Sequence, residues 1–346
     1  MQDFSTRLIV WQKVHGRHDL PWQNTQDPYA IWVSEIMLQQ TQVAAVIGYY
    51  QRFMQRFPDI ASLAAAKQDE VLQLWSGLGY YSRARNLHKA AQMMVDTFAG
   101  QFPQALVDVQ SLPGIGRSTA AAIVAFAFNQ CHAILDGNVK RVFARHFLVE
   151  GWPGLPKVEK LLWGLAEELL PQSNMVAYTQ GLMDLGATLC TRTKPRCGEC
   201  PLKQSCLAYQ QQRVPEFPAS KPRKILPEKQ TVMLVLLRGN EVMLEKRPPT
   251  GIWGGLWSLP EIAVEENAEQ AAELRYGALA QCLPAYPFIK HTFSHFHLHI
   301  QPLAMQVSQM QPQAREAGIV WLPLDEAIDA ALPAPVRKIL QSFRPL

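Results

Sequence analysis

The 346-residue sequence predicts an all-α N-terminal domain over residues 1–212, a linker over 213–229 and a smaller α+β domain over 230–346. Three observations predict this. Up to residue 212, apolar positions recur at helical spacing in one run after another, with few β-rich segments between them. Residues 213–229 carry four prolines and five basic residues, so proline forbids helix and charge keeps the backbone wet. From Thr231 onward the pattern changes to strand, turn, strand. A chain of this length exceeds one ordinary core, which fits two domains.

The helices follow in order. Asp27 is placed to cap a helix whose first position is Pro28, followed by Tyr-Ala-Ile-Trp-Val-Ser-Glu-Ile-Met-Leu. Further helical stretches are expected around 43–57, 69–76, 83–98, 118–128, 138–148, 157–170 and 174–189. In the back domain, strands are expected over Thr231–Leu237 and Glu241–Lys246 about the turn Arg238-Gly239-Asn240. Thr292–Ile300 alternates strictly and reads as one strand with His295, His297 and His299 on its solvent side. Residues 268–280 and 324–341 read as helical.

Composition is that of a globular protein, 48% hydrophobic and 18% charged. No apolar run reaches the ~18 residues needed to span a bilayer, and the start lacks a signal-peptide pattern, so a cytoplasmic protein without a membrane partner is expected. The net charge of +4 is uneven: residues 1–213 hold 20 basic against 16 acidic groups, and 231–346 hold 9 against 11. A basic front permits a nucleic-acid partner there without requiring one.

Cys190, Cys197, Cys200 and Cys206 read C-x6-C-x2-C-x5-C. Four thiolates this close can converge on one centre, a [4Fe–4S] cluster or a tetrahedral zinc. Spacing alone does not choose between them. Disulfides are disfavoured in a chain without a secretory leader whose other cysteines, Cys131 and Cys282, lie far apart.

Leu112-Pro113-Gly114-Ile115-Gly116-Arg117-Ser118 precedes an apolar helix. A G-x-G turn at a helix start aims backbone N–H groups outward, where they can hold a phosphate oxygen. A glycine-assisted turn between packed helices would look the same. Asp136, in Leu135-Asp136-Gly137-Asn138-Val139-Lys140-Arg141, stands at a helix start, where an isolated Asp is ordinarily a cap. Glu35 lies among bulky apolar neighbours in a helix, and burial there would raise its pKa and make it an acid near neutrality.

Hairpin, Asp and cysteine cluster, in this order, resemble the helix-hairpin-helix DNA glycosylase superfamily, whose [4Fe–4S] signature has the cysteine spacing found here. The resemblance implies a structural cluster held by the four cysteines, bracing a loop in which Arg192, Lys194 and Arg196 contact phosphates. Members that also cleave the strand carry Lys where this chain has Ser118; a hydroxyl cannot form the Schiff base, which implies a monofunctional enzyme. Trp32–Gln42, Leu20-Pro21-Trp22, Gly77-Leu78-Gly79-Tyr80-Tyr81 and Ile134–Arg141 closely resemble the bacterial adenine DNA glycosylases of the MutY family, nearly the whole chain matching.

That resemblance implies excision of adenine opposite 8-oxoguanine or guanine in double-stranded DNA, by a cytoplasmic, nucleoid-associated monomer. Glu35 would protonate the flipped adenine and Asp136 would stay ionised beside the cationic sugar, with Asn138 orienting it. Gln40, Thr41, Leu78 and Tyr80 match wedge and lesion-contact positions, Gly114, Gly116 and Ser118 the backbone grip, and Trp22 and Gln180 the adenine pocket. The back domain resembles a Nudix fold: Gly255 to Glu261 fits the opening of the Nudix box, but residues 269–274 read Glu-Gln-Ala-Ala-Glu-Leu where metal-binding carboxylates belong. Lesion recognition through Phe293, Ser294 and His295 is implied rather than triphosphate hydrolysis. An oxidised-pyrimidine glycosylase/lyase is opposed by Ser118, a non-catalytic iron–sulfur DNA-binding protein by the presence of both Glu35 and Asp136, and a nucleotide-pool hydrolase by the degraded box.

Overall fold

Helix α1 (Gln2–His15) packs on α11 (Met175–Asp184), so the two ends of the helical region close on each other. The computed structural model describes residues 2–222, 225–284, 286–311 and 318–343. Between α1 and α11 run α2 (Pro28–Leu38), α3 (Val43–Arg56), α4 (Ile60–Ala65), α5 (Gln68–Trp75), α6 (Ser82–Phe98), α7 (Leu106–Ser111), α8 (Arg117–Phe128), α9 (Gly137–His146) and α10 (Pro156–Glu168). Asp27 Oδ1 accepts from the Tyr29 amide at 3.0 Å with Pro28 in the first turn, the start that the residues predict. Helix α2 is buried except at Pro28, Glu35 and Leu38, and α8 packs along it. Five alanines in α8, Ala120, Ala121, Ala122, Ala125 and Ala127, are buried and keep that helix thin. A core of Leu8, Ile134, Phe143, Leu162, Tyr178 and Leu182 fills the space between α1, α9, α10 and α11.

The predicted helix over 174–189 changes hand-hold halfway. At Asp184 the α-helix gives way to a single π turn, Leu185–Leu189, which ends at Cys190. Gly186 lies against α9: a Cβ there would sit 2.6 Å from Asn138 Cβ, so only glycine permits this approach. A short helix α12 (Leu207–Gln210) follows the cysteines.

The chain separates into two compact units, Met1–Ala65 with Asn86–Arg223, and Ala66–Arg85 with Lys224–Leu346. The helical region expected to be continuous over 1–212 is thus interrupted, because α5 and the turn after it pack with the C-terminal residues. Of the expected linker, Arg223 and Lys224 lie outside the described residues; Val214–Glu216 forms a 3-10 turn and Phe217 is buried.

In the second unit, strands β1 (Glu228–Arg238), β2 (Glu241–Lys246), β3 (Trp257–Ser258), β4 (Glu261–Ile262), β5 (Ala278–Cys282), β6 (Ile289–Thr292), β7 (His297–Met310) and β8 (Ile319–Pro323) form one sheet around the path β3-β2-β1-β7-β5. β1 and β7 run parallel, and the remaining pairings are antiparallel. Alternate residues of β1 feed opposite faces: Met233 and Val235 join one core with Phe296, Leu332 and Ile339, and Val232, Leu234 and Leu236 join the other with Ala272 and Tyr276 of α13 (Ala268–Tyr276).

Three elements of this unit differ from those the residues predict. Thr292–Ile300 is not one strand. β6 ends at Thr292, which pairs with His297, and the Phe293 amide bonds the Phe296 carbonyl at 2.9 Å, closing a hairpin whose tip is 293–296. His295 therefore lies in the turn, away from the strand face of His297 and His299; the alternation persists because Phe296 folds into the core as a strand residue would. The helix expected over 268–280 stops at Gly277, whose φ of +63° caps it, and β5 begins at once. The stretch 324–341 breaks into α14 (Leu324–Asp329) and α15 (Ala334–Gln341) because Pro333 cannot continue a helix.

Replacing Asp27 by Ala removes the α2 cap and is expected to cost about 1 kcal/mol. Urea unfolding should show a lower midpoint at unchanged slope.

Candidate active site

Two cavities meet at Glu35. The larger, of about 970 Å³, is lined by Glu35, Gln40, Thr41, Ser118, Asp136, Asn138 and Arg141; the other, of about 510 Å³, by Trp22, Ser34, Glu35, Gln180 and Arg17. Glu35 is the single charged residue of α2, carried inward because the rest of that helix is apolar. Its remaining exposed surface faces the cavities, with protein around it.

Asp136 caps α9. Its Oδ1 accepts from the Val139 amide at 2.8 Å, and Asn138 Nδ2 stands 3.5 Å from Oδ2. Ser118 Oγ accepts from the Leu135 amide at 2.9 Å and so holds the residue before Asp136. Arg141, one turn along α9, donates from Nη2 to Asn138 Oδ1 (2.8 Å) and the Gly186 carbonyl (2.6 Å), and from Nε to the Cys190 carbonyl (2.7 Å).

The two carboxyls have different surroundings. Burial pushes Glu35 up to about 8, with the charge of Asp136 adding to it. Burial also raises Asp136 above the ordinary 3.8, but the amides of Val139 and Asn138, the Arg141 guanidinium and the Asn138 side chain all oppose that rise. The helix start therefore favours the ionised form of Asp136 and opposes the rise that burial causes without cancelling it. Donor supply sets the two carboxyls apart: amides and Arg141 favour the charged form of Asp136, whereas burial and the neighbouring carboxyl favour the protonated form of Glu35.

In the smaller cavity, Trp22 is buried edge-on to Tyr50, ring centroids 5.3 Å apart. Gln180 Nε2 donates to Asp184 Oδ1 at 2.9 Å, and Arg17 pairs with the same carboxylate at 2.7 Å. Asp184 is fully buried yet paired, so it fixes two cavity-lining side chains at once.

The hairpin residues are backbone devices. Gly114 has φ +82°, and a Cβ there would meet Asn86 Cβ at 2.8 Å; Gly116 precedes α8 without a side-chain cap. Gln40, left-handed at φ +58°, ends the stretch after α2. Leu78 and Tyr80 lie in the second unit, Leu78 buried and Tyr80 half-exposed at φ +49°. Phe293, Ser294 and His295 lie in that unit too, with Ser294 and His295 exposed at the hairpin tip and Phe293 stacked on Phe296 at 4.6 Å.

Cys190, Cys197, Cys200 and Cys206 line one small cavity with Val142, Leu185, Leu189 and Leu202, all four thiols being unbridged. Burial pushes the Cys200 thiol up to about 12, helped by the other three sulfurs, so four thiolates cannot coexist here without a cationic centre. Arg145 is buried, and among the described residues its hydrogen-bond partners are the carbonyls of Phe217, Thr191 and Arg192 and the Cys190 sulfur (3.4 Å), with no carboxylate. A buried guanidinium beside four thiols fits a thiolate-ligated cluster of net negative charge. Arg196 bonds Glu199 and the Thr188 carbonyl.

Sequence reasoning assigned no role to Arg17, Arg141, Asp184 or Gly186. Arg141 stood inside a quoted motif, but an isolated helical Asp184 or Gly186 carries no local signal; each matters through a partner distant in sequence.

Residues 33–168 match the HhH-GPD superfamily of base excision DNA repair proteins, 190–206 the iron–sulfur binding domain of endonuclease III, and 231–342 the NUDIX domain. The chain is 39% identical to the adenine DNA glycosylase of Buchnera aphidicola subsp. Acyrthosiphon pisum, covering 99% of this chain and 97% of that protein. It is 33% identical to the Mus musculus adenine DNA glycosylase, over 98% of this chain and 78% of that one. Among solved structures, a thermostable thymine-DNA glycosylase superposes with TM-score 0.55 at 30% identity, over 60% of this chain and 95% of its own. Endonuclease III, solved in a non-covalent complex with DNA, shares the fold at TM-score 0.52 and 22% identity, over 61% and 98%. The [4Fe–4S] cluster is thus the resident cofactor, and the back domain is Nudix-like. No described helix is long and apolar enough to cross a membrane.

The raised pKa of Glu35 makes stability pH-dependent. The folded state holds its proton up to about 8 and the unfolded chain only to 4.5, so this contribution is fully present below 4.5 and lost as pH rises through about 8. Denaturant titrations should show the Glu35→Gln variant gaining stability over the parent as pH rises through that window. A second variant, Cys200→Ser, should lower iron content per chain and the thermal midpoint together.

Proposed function

The chain belongs to the adenine DNA glycosylase family, and on that premise we propose that it excises adenine paired with 8-oxoguanine, or with guanine, by acid-assisted hydrolysis without strand cleavage. It is an enzyme that hydrolyses N-glycosyl bonds in DNA. The observation that carries the mechanism is the paired carboxyls: a buried acid raised to about 8 and a carboxylate held by amide donors, lining one cavity with a second cavity beside the acid.

Adenine extruded from the duplex enters the smaller cavity, where Trp22 and Gln180 line its walls. Glu35 gives its proton to N7, the C1′–N9 bond breaks, and its electron pair leaves with the base. Asp136, ionised, faces the oxocarbenium sugar and stabilises it, oriented by Asn138 and by the Arg141 bond to Asn138. Water adds to C1′ and the Glu35 carboxylate accepts its proton, which restores the starting state. Ser118 is committed to the Leu135 amide and has no amine with which to form an imine, so the product is an abasic site. The cluster supplies structural cross-linking of the loop after the π turn and takes no part in bond breaking.

Gln40, Thr41 and Tyr80 wedge the duplex and contact the opposite base, Gly114 and Gly116 approach its backbone, and Ser294 and His295 read 8-oxoguanine. Leu78 is buried and does not present its side chain at the surface. The enzyme acts as a monomer on chromosomal DNA in the cytoplasm.

Single-turnover reaction with a duplex carrying A opposite 8-oxoguanine should release adenine, with strand breaks chiefly after alkali; breaks at a comparable rate without alkali would overturn the hydrolytic assignment. Activity should fall as pH rises through about 8, where Glu35 loses its proton, and on the acid side as Asp136 gains one. Glu35→Gln should lower the rate by ~10²–10⁴-fold.

A further inference from the structure

The turn that carries Tyr80 is fastened to the C-terminal residues at several points. Tyr81, buried, accepts a hydrogen bond at its hydroxyl from the Gly77 amide (3.2 Å) and donates to the Leu332 carbonyl (3.3 Å), in the loop between α14 and α15. Ser76 Oγ donates to the same carbonyl at 3.3 Å and accepts from Arg337 of α15 at 2.8 Å. Arg85, at the other end of the segment, donates to the Gly254 carbonyl at 2.5 Å. Gly255, φ +76°, lies against Gln68, Leu72 and that same arginine.

Those two anchor points lead to the hairpin 293–296. Leu332 and Phe296 are fully buried members of one core. Gly254 follows Trp253, which is held left-handed at φ +54° and sets its ring 5.3 Å from Phe293 and 5.6 Å from His291. Phe293 is thus enclosed by Trp253, His291 and Phe296, and it serves as the root of the hairpin, presenting Ser294 and His295 at the tip. Non-glycine residues at positive φ carry strain that the surroundings must hold in place, and Trp253 and Tyr80 both do so.

We propose that Tyr81 and Arg85 are specificity-determining residues that couple the lesion-reading hairpin to the Tyr80 turn, so that contact with 8-oxoguanine at one sets the position of the other. This rests on the roles given above to Ser294, His295 and Tyr80. Neither Tyr81 nor Arg85 touches the reacting groups; they act through the turn. Loss of one such hydrogen bond changes an equilibrium by roughly two- to tenfold.

The experiment is a double-mutant cycle on the full chain, reading the single-turnover rate with A opposite 8-oxoguanine divided by that with A opposite guanine. Tyr81→Phe removes one hydroxyl and keeps the ring, Arg85→Lys keeps the charge, and His295→Ala truncates the hairpin tip. For Tyr81→Phe and Arg85→Lys, visible absorbance of the cluster and the rate on A opposite guanine report intact folding and chemistry. Expected are a two- to tenfold lower ratio for Tyr81→Phe and for His295→Ala, and no further loss when both are combined. Losses that multiply in the double variant, or an unchanged ratio for both Tyr81→Phe and Arg85→Lys, would overturn the coupling while leaving the lesion contacts standing. An unchanged ratio for His295→Ala, Ser294→Ala and Tyr80→Ala would sink the lesion-contact reading, and the coupling with it.

Discussion

A carboxylic acid enclosed by an otherwise apolar helix governs this enzyme. Ionised, Glu35 would be a buried charge next to a second carboxylate; protonated, it is tolerated by the packing of α2 and is ready to donate. Burying it costs stability at neutral pH and above, a cost that only function explains. The rest of the helical unit serves this arrangement. Small alanines in α8 let that helix lie close to α2, and the hydroxyl of Ser118 on α8 fixes the loop that brings in Asp136.

Asp136 answers the opposite need. It belongs to the same buried environment, yet the start of α9 gives it two amide donors, and Arg141 adds charge nearby. Two carboxyls in one place thus have different surroundings, because one sits mid-helix without amide donors and the other at a helix start that supplies them. From Asp136, α9 runs to the cysteine loop: Arg141 bonds the Cys190 carbonyl and Arg145 bonds the Cys190 sulfur. The iron–sulfur loop is accordingly a buttress for the helix that Asp136 caps, as well as a display of basic residues.

Much of this was legible from residues alone, where local chemistry is decisive. Asp27-Pro28 announces a helix start whatever surrounds it, and the cysteine spacing announces a metal centre. Glu35 could be singled out because an acid among Ile, Val, Met and Leu has nowhere polar to go. The hairpin at 293–296 was missed because strand alternation and a four-residue turn bury the same side chain, Phe296. The break at Pro333 and the end of α13 at Gly277 were signalled by residue type and were outweighed by apolar periodicity on either side.

The sequence by itself determined the change from helices to strands, the start of α2, the iron–sulfur motif and a carboxyl set among apolar neighbours, since each depends on neighbours within a few residues. Tertiary packing decided how far burial raises each carboxyl and which one has donors to oppose it, because desolvation and donor supply depend on what folds around a group. It also decided that Gly186 must be glycine against Asn138, that Asp184 holds Arg17 and Gln180, and that residues 66–85 pack with the C-terminal residues. Apart from Gln180, which is four residues from Asp184, those contacts join positions from about 45 to about 260 apart in the chain, a range over which side-chain pattern carries no information about partners.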